Sequence, residues 1–228
     1  MNDIQLSSRL RELYLLIPQD CQILWDICCD HGYIGRKALM DAKFQFDQVC
    51  FVDQIPVIMQ KLENHCHQES HYYRSDYSIL CQDARCFDFQ TSSNSPRQCF
   101  LIAGVGSHTI KAILKSIHQE YVESELEGFK LILGPQKHND SLRQELHQLG
   151  WKSIKETIVF ENGHFRELWL VGRQGSNLLD FQNIATSHLD VWIQYWKELL
   201  IRMLEIQKKG GVPEYSPKDL QELISKHS

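Results

Sequence analysis

The hydrophobic positions of the chain follow two alternating patterns, which predict strands and helices in turn. Short apolar runs such as QILWDI and QVCFV end in acidic, cysteine or glycine residues, as buried strands do where they meet loops. The stretches between them carry apolar residues at steps of three and four, which is the spacing of a helix face. Nearly continuous apolar strands separated by helices indicate a parallel sheet that is covered on both faces.

Seven strands are predicted in all. Five of them, read as parallel, are CQILWDICC, DQVCFVD, YSILCQD, QCFLIAGVG and GFKLILGP. The last two lie within WKSIKETIVFENGHFRELWLVGR and are joined at Asn162 and Gly163, a pair that favours a tight hairpin turn. An otherwise parallel sheet of seven strands would therefore close with an antiparallel edge strand.

The N-terminal segment predicts an amphipathic helix over residues 3–16, with Leu6, Leu10 and Leu13 on one face and Pro18 beyond its end. This charged start is not built like a secretory signal, and no apolar run approaches the roughly 18 residues that span a bilayer. We therefore expect a soluble, cytoplasmic protein without a membrane partner. Its eight cysteines are expected to stay reduced in that compartment.

The C-terminal part predicts helices of a different kind. Its apolar stripe consists of Leu189, Trp192, Trp196, Leu199, Met203 and Ile206. This spacing is typical of a helix that pairs with another helix as in a coiled coil, either within the chain or in an oligomer. Ser216 and Pro217 then suit the start of a short final helix. We expect an α/β domain over residues 1–174 and a small helical subdomain over residues 180–228.

The charge of the chain argues against a uniformly basic surface. The 24 basic and 29 acidic residues give a net charge of −5, which removes any global electrostatic argument for nucleic acid. A local basic face stays open. Positive charge concentrates near the first predicted strand, at Arg9, Arg11, Arg36, Lys37 and Lys43.

The stretch LWDICCDHGYIG, residues 24–35, combines several chemically active side chains. Cysteine, histidine and aspartate all bind zinc, but adjacent cysteines on a strand point to opposite faces, and the chain has no Cys-x-x-Cys pair. A disulfide between Cys28 and Cys29 would be strained, and a thiol nucleophile needs a histidine that sequence cannot place. We therefore predict no metal site and favour a ligand pocket.

A nucleotide-type pocket suits the position of this stretch. Ligands of open α/β sheets bind beyond the carboxyl ends of the strands, and Asp53 follows Cys28 by 25 residues at the end of the second strand. A carboxylate at about this interval accepts the hydroxyl groups of a ribose. Asp26, Asp83 and the segment AGVGS add to the pattern. The Gly-x-Gly-x-x-Gly loop is absent, which favours an adenosyl ligand without phosphates, such as S-adenosylmethionine.

Five segments, in order across residues 6–171, resemble a known family, the bacterial TrmK methyltransferases. LSSRL with a following IP opens the set, and DICCDHGYI stands where the family has Asp-Ile-Gly-Ser-Asp-His and an aromatic residue. IAGVGSHTIKAIL stands where it has Ala-Gly-Met-Gly-Gly, LILGPQ is near its Gln-Pro-Asn, and ENGHFRELWLV is near its Glu-Asp-Gly-Lys ending. That family transfers a methyl group to ring nitrogen 1 of the adenine at position 22 of tRNA.

The resemblance implies a Rossmann-like class I methyltransferase with a C-terminal helical, coiled-coil-like subdomain, S-adenosylmethionine as cofactor and tRNA as substrate. Asp30 matches the family aspartate that is implicated in methyl transfer. The expected cofactor-binding residues are Asp26, Cys28, Cys29, His31, Gly32, Asp53, Gln54, Asp83, Ala84, Ala103 and Gly104. The expected substrate-binding residues are Arg9, Tyr33, Pro135 and Gln136.

The chain departs from the family pattern at three places. Cys28 replaces a glycine that lets the backbone approach the cofactor, Ser107 replaces a second glycine, and GPQ replaces Gln-Pro-Asn. These changes keep two alternatives open. One is a non-catalytic RNA-binding or nucleotide-binding relative with a degenerate cofactor loop, and the other is a methyltransferase for a different small molecule or a protein.

Overall fold

A computed structural model of the chain describes residues 4–89, 96–137, 139–178, 184, 186–213 and 215–227. Its centre is a single seven-stranded sheet. The strands are β1 (Ile23–Ile27), β2 (Gln48–Asp53), β3 (Asp76–Cys81), β4 (Gln98–Ala103), β5 (Lys130–Gly134), β6 (Lys152–Glu161) and β7 (His164–Gly172). They lie side by side in the order β3-β2-β1-β4-β5-β7-β6.

The sheet has the predicted class, with parallel strands and an antiparallel edge. β1 pairs in parallel with both β2 and β4, so the strand order reverses next to β1. β7 runs antiparallel to β5 and to the edge strand β6. The hairpin turn between them uses Asn162 and Gly163, which both have positive φ angles, 53° and 76°, as the Asn-Gly pair predicted.

Eight α-helices lie within the part of the chain that the structure describes. They are α1 (Ser8–Leu15), α2 (Tyr33–Met40), α3 (Pro56–Glu69), α4 (Ser107–Glu120), α5 (Glu123–Leu126), α6 (Asn139–Gln148), α7 (Leu189–Lys208) and α8 (Pro217–His227). The leading helix is shorter than predicted because the side chain of Ser7 caps it by accepting from the Leu10 N–H. None of the helices in the described ranges combines the length and apolar character that a membrane span needs.

Alternation along β1 divides the core between the two faces of the sheet. Ile23, Trp25 and Ile27 belong to one buried cluster, whereas Leu24 belongs to the other. Asp26 therefore points to the same side as Leu24, towards α2, because successive side chains of a strand alternate. A carboxylate is thus carried into the interior by the strand itself.

The apolar stripe of α7 packs inside the chain. Trp192, Trp196 and Leu199 are buried together with Leu220 of α8 and Ile158 of β6. The C-terminal helices thereby cover the edge of the sheet. An additional oligomer contact through α7 stays a prediction, as do the domain bounds 1–174 and 180–228. Residues 1–3, 90–95, 138, 179–183, 185, 214 and 228 lie outside the described residues.

A buried ion-pair network joins α6 to the hairpin. The Arg143 guanidinium donates to Glu156 Oε2 at 2.6 Å and to Glu167, and all three side chains are excluded from solvent. Tyr195 of α7 donates to the same Glu167 at 2.7 Å. Polar groups at this depth are retained only when they are paired, so the network ties α6, the hairpin and α7 to one another.

Candidate functional site

A cavity of about 490 Å³ opens at the carboxyl ends of β1 to β4, beside the point where the strand order reverses. Open α/β sheets bind their ligands at this position. Most of the predicted site residues line it, namely Arg9, Asp26, Cys28, Cys29, Asp30, Tyr33, Asp53, Gln54, Asp83, Ala84, Ala103, Gly104 and Gln136. The sequence intervals therefore do bring these side chains together around one space.

The loop after β1 forms the floor of the cavity. Cys28 has a φ angle of 56° and Asp30 one of 52°, values in the left-handed region that L-residues seldom adopt. The Cys28 N–H donates to the Val52 carbonyl oxygen at 2.8 Å, so the loop is held against the end of β2. Cys28 therefore has a backbone conformation that favours glycine, although it carries a thiol side chain.

Asp26 lies at the base of this loop and is almost fully buried. Its Oδ2 accepts from the Gly35 N–H at 3.0 Å, which fixes the start of α2. A Cβ at Gly35 would lie 2.4 Å from the Phe51 ring, so only glycine permits this approach. Burial raises the pKa of Asp26 to about 7, and the nearby Asp53 adds to the rise.

Asp53 ends β2 and faces the cavity with a fixed orientation. Its Oδ2 accepts from the Asp30 N–H at 3.2 Å, and its Oδ1 accepts from the Ile55 N–H at 3.1 Å. Each carboxylate oxygen can accept more than one hydrogen bond. The side chain is therefore positioned by the protein and can still accept two hydroxyl groups from a ligand.

Asp83 follows β3 and is paired with a residue that the sequence reasoning missed. Arg85 Nε lies 2.9 Å from Asp83 Oδ1, and Arg85 Nη2 lies 2.6 Å from Asp83 Oδ2. This bidentate pair holds the pKa of Asp83 below its usual value. Arg85 also lines the cavity, and the two-residue spacing from Asp83 is the only signal that the sequence offers for it.

The loops after β4 and β5 are tied together on the far side of the cavity. Gly104 has a φ angle of 78°, and its carbonyl oxygen accepts from the Gln136 side-chain amide. The Gln136 N–H donates to the Val105 carbonyl oxygen at 3.1 Å, and the Ser107 hydroxyl donates to the Lys137 carbonyl oxygen. Two departures from the family pattern, Ser107 and Gln136, thus contribute hydrogen bonds that order this wall.

Three predicted residues do not line the cavity. Gly32 has a φ angle of 62°, and a Cβ there would lie 2.6 Å from Leu62 Cδ1, so its role is in the turn into α2. His31 Nε2 lies 3.6 Å from Asp30 Oδ1, outside the lining. Pro135 is buried behind Gln136. Their predicted ligand contacts stay predictions.

Arg9 borders the cavity but is held by a carboxylate. Its backbone N–H donates to Glu161 Oε1 at 3.2 Å, and its Nε lies 3.9 Å from Glu161 Oε2. The walls also contain apolar side chains that the sequence reasoning did not single out. They include Ile27, Val52, Ile55, Ile58 and Ile113. Apolar residues end many strands and begin many helices, so sequence alone gives no reason to select these.

The cavity carries an excess of negative charge. Four aspartates line it, and its two arginines are both engaged by carboxylates, Arg85 by Asp83 and Arg9 by Glu161. Burial and the surrounding carboxylates raise the pKa of the Cys28 thiol to about 12 and raise that of Cys29 as well, so both thiols are neutral. The described ranges contain no group of three potential metal ligands. This environment favours a cationic organic ligand.

The strand order, the antiparallel β7 and a cavity beside the switch point define a Rossmann-like methyltransferase fold. Residues 6–168 match the family model described as a methyltransferase domain, and the chain belongs to that family. A search of curated proteins found no match.

Solved structures of tRNA methyltransferases share the fold over nearly the whole chain. The Bacillus subtilis m1A22 tRNA methyltransferase TrmK is 18% identical, with a TM-score of 0.68 and coverage of 98% of this chain and 96% of the other. Mycoplasma capricolum TrmK, in complex with S-adenosylhomocysteine, is 18% identical with a TM-score of 0.67 over 98% and 99%. A putative tRNA (m1A22) methyltransferase from Streptococcus pneumoniae, in complex with S-adenosylmethionine, is 19% identical with a TM-score of 0.68 over 96% and 100%.

Proposed function

We propose that this chain is a bacterial, cytoplasmic, S-adenosylmethionine-dependent methyltransferase that acts on ring nitrogen 1 of an adenine in the D arm of tRNA. One observation carries the proposal. The loop after β1 keeps a left-handed backbone at Cys28 and sets Asp30 beside the carboxylate of Asp53, within a fold that tRNA methyltransferases share from end to end. The C-terminal helices are part of that shared length.

The residues of the cavity fit the proposed cofactor. A volume of about 490 Å³ lies within the range of small-ligand pockets, about 300 to 1,000 Å³. Asp53 presents oxygen atoms for the ribose hydroxyls, and Asp26 lies beneath the loop, where a bound cation would favour its ionised form. Ile55 and Ile58 provide an apolar wall. We assign the ribose to Asp53 and the positively charged end to the side of Asp26.

Asp30 is suited to the base rather than to the cofactor. Its backbone N–H is held by Asp53, while its side chain is 64% exposed at the cavity mouth. Tyr33, three residues further on at the start of α2, is partly exposed and also lines the cavity. A base that has left its stack needs an apolar or aromatic wall and an acceptor for its exocyclic amine. Tyr33 supplies the wall and Asp30 supplies the acceptor.

The cofactor, when bound, supplies a methyl group on a positively charged sulfur. The adenine nitrogen attacks in line, so a nitrogen–carbon bond forms as the sulfur–carbon bond breaks and its electron pair stays on sulfur. The positive charge moves to the methylated base, where the Asp30 carboxylate stabilises it. Catalysis then rests on positioning and on a pre-arranged charge, and no side chain needs to take up a proton.

The test is transfer of a labelled methyl group from S-adenosylmethionine to unmodified bacterial tRNA transcripts, with the label mapped to its nucleotide. We expect 1-methyladenosine in the D arm, and no label on a transcript in which that adenine is replaced by guanine. A folded protein that binds the cofactor but labels no tRNA would favour another small-molecule or protein substrate. A folded protein without cofactor affinity would favour the non-catalytic relative.

A further inference from the structure

A second groove, of about 720 Å³, adjoins the first cavity. It lies between the β6–β7 hairpin, the loop that follows β5, the start of α6, and helix α7 with Tyr215, which precedes α8. Gln136 borders both spaces, and its carbonyl oxygen accepts from Arg166 Nη1 at 3.0 Å. A ligand that extends out of the first cavity past Gln136 would therefore enter this groove.

Aromatic rings line one wall of the groove. The rings of Phe165 and Tyr195, which both line the groove, are 5.5 Å apart. The hydrogen bond from Tyr195 to Glu167 fixes the position of its ring. Rings that are held in place and partly exposed form a surface on which flat ligands can stack.

The charge of the groove is opposite to that of the first cavity. Lys137, Arg166 and Arg202 line it, against two acidic side chains, Asp140 and Glu198. The part of the chain that the structure describes contains no ion pair from these three cations to a carboxylate. Arg166 is held by the Gln136 carbonyl oxygen, but Lys137 and Arg202 are available to meet an anion, whereas the arginines of the first cavity are already paired with carboxylates.

We propose that this groove binds the unpaired nucleotides that flank the target base, with their phosphates on Lys137 and Arg202 and a base stacked on Phe165. The assignment rests on the proposed function, because it gives the RNA a path from the first cavity. Aromatic rings together with cations along a groove are the features that bind single-stranded nucleic acid. An acidic peptide would use the cations but would gain little from the rings of Phe165 and Tyr195, so RNA is the better match.

The test compares three variants in tRNA binding, with S-adenosylmethionine affinity measured in parallel. Lys137→Ala/Arg202→Ala removes two exposed cations, and Phe165→Leu keeps an apolar side chain while removing the ring. Lys197→Ala is the matched control, because it removes an exposed cation of the same helix α7 outside the groove. Association constants are measured at several salt concentrations.

We expect the double variant to bind tRNA about tenfold more weakly and to reduce the magnitude of the salt slope by about 1.4, or about 0.7 for each lost phosphate contact of a single strand. Phe165→Leu should weaken binding about tenfold without changing the slope, since stacking is not electrostatic. Lys197→Ala should bind as the unchanged protein does. Cofactor affinity should be the same in all of them, which reports that each variant is folded.

The outcomes separate the two proposals. Weaker tRNA binding in the groove variants supports the groove as an RNA-binding site. This result supports the groove even if the protein transfers no methyl group, in which case only the proposed reaction is wrong. If the unchanged protein methylates tRNA and the groove variants bind tRNA equally well, the groove is not the RNA-binding site. The proposed reaction then still stands. An unchanged protein that binds no tRNA at low salt, or that binds an acidic peptide equally well through the same cations, overturns the groove as an RNA site.

Discussion

Position 28 carries a side chain on a backbone that favours glycine. An L-residue in the left-handed region costs about 1 to 2 kcal/mol, whereas glycine adopts it freely but loses more entropy on folding. Cys28→Gly should therefore be more stable than Cys28→Ala by about 1 kcal/mol, since both lose the thiol and only glycine relieves the backbone. Chemical denaturation of the two variants measures the difference.

Position 29 provides the control for this prediction. Cys29 is not among the described residues with a positive φ angle, so glycine offers no relief there. Cys29→Gly should be less stable than Cys29→Ala by about 0.5 to 1 kcal/mol. If the alanine variant were the more stable one at both positions, the backbone at Cys28 would not be strained.

Asp26 predicts a pH dependence of stability. The folded protein keeps this proton up to about pH 7, whereas the unfolded chain loses it near pH 3.8. The folded state binds more protons in that window, so the Asp26 contribution to the free energy of unfolding falls as pH rises from about 4 to 7. The fall is up to about 4 kcal/mol, from 1.36 kcal/mol per pKa unit.

Asp26→Asn keeps an acceptor for the Gly35 N–H but cannot ionise. The free energy of unfolding of the variant, relative to that of the unchanged protein, should therefore rise between about pH 4 and pH 7. Above about pH 7 this difference should stay constant. Urea denaturation at a series of pH values gives both curves. Parallel curves across the whole range would mean that Asp26 does not hold a proton in the folded state.

Sequence could predict the carboxylates of the site but not their partners. Asp53 was found because its interval from the first loop has a known use in α/β folds. The pairing of Asp83 with Arg85, the tie from Arg9 to Glu161 and the close approach of Gly35 to Asp26 depend on side-chain directions. A linear pattern does not encode those directions.

At the scale of elements, periodicity predicted the strands and the hairpin but not their order in the sheet. The Asn162–Gly163 turn fixed that β6 and β7 are antiparallel. Whether β6 or β7 pairs with β5 depends on how the hairpin docks. It is β7 that pairs with β5, and β6 is left as the edge strand, where α7 covers it.

The ion-pair network of Arg143 is the element-scale feature that sequence did not indicate. Arg143→Met should lower the free energy of unfolding at neutral pH by about 3 to 5 kcal/mol, because Glu156 and Glu167 would remain buried without their cation. Lys111→Met is the control, since the Lys111–Glu145 pair joins α4 and α6 near the surface at 3.3 Å. It should cost less than about 1 kcal/mol. Equal losses in the two variants would mean that the buried network contributes no more than a surface pair.

For the whole molecule, the net charge of −5 conceals an uneven distribution. The first cavity collects carboxylates, and the adjoining groove collects the cations Lys137, Arg166 and Arg202. Composition reports only their sum, so it argued against nucleic acid without locating either feature. A cationic cofactor and an anionic RNA can thus be served by neighbouring surfaces of one acidic chain.

We propose that Asp53 holds the cofactor and that Asp30 contacts the base. Single-turnover methyl transfer to tRNA is measured over a series of S-adenosylmethionine concentrations. It gives two separate quantities, the maximal rate and the cofactor concentration at half of that rate. Asp30→Ala should lower the maximal rate by about 100-fold or more and leave the half-saturating cofactor concentration unchanged. Asp53→Ala should raise the half-saturating cofactor concentration, while the maximal rate is still reached at high concentration. A folded, unchanged protein that transfers no methyl group at any concentration, or an Asp30→Ala variant with full rate, would show that these two residues do not have the proposed roles.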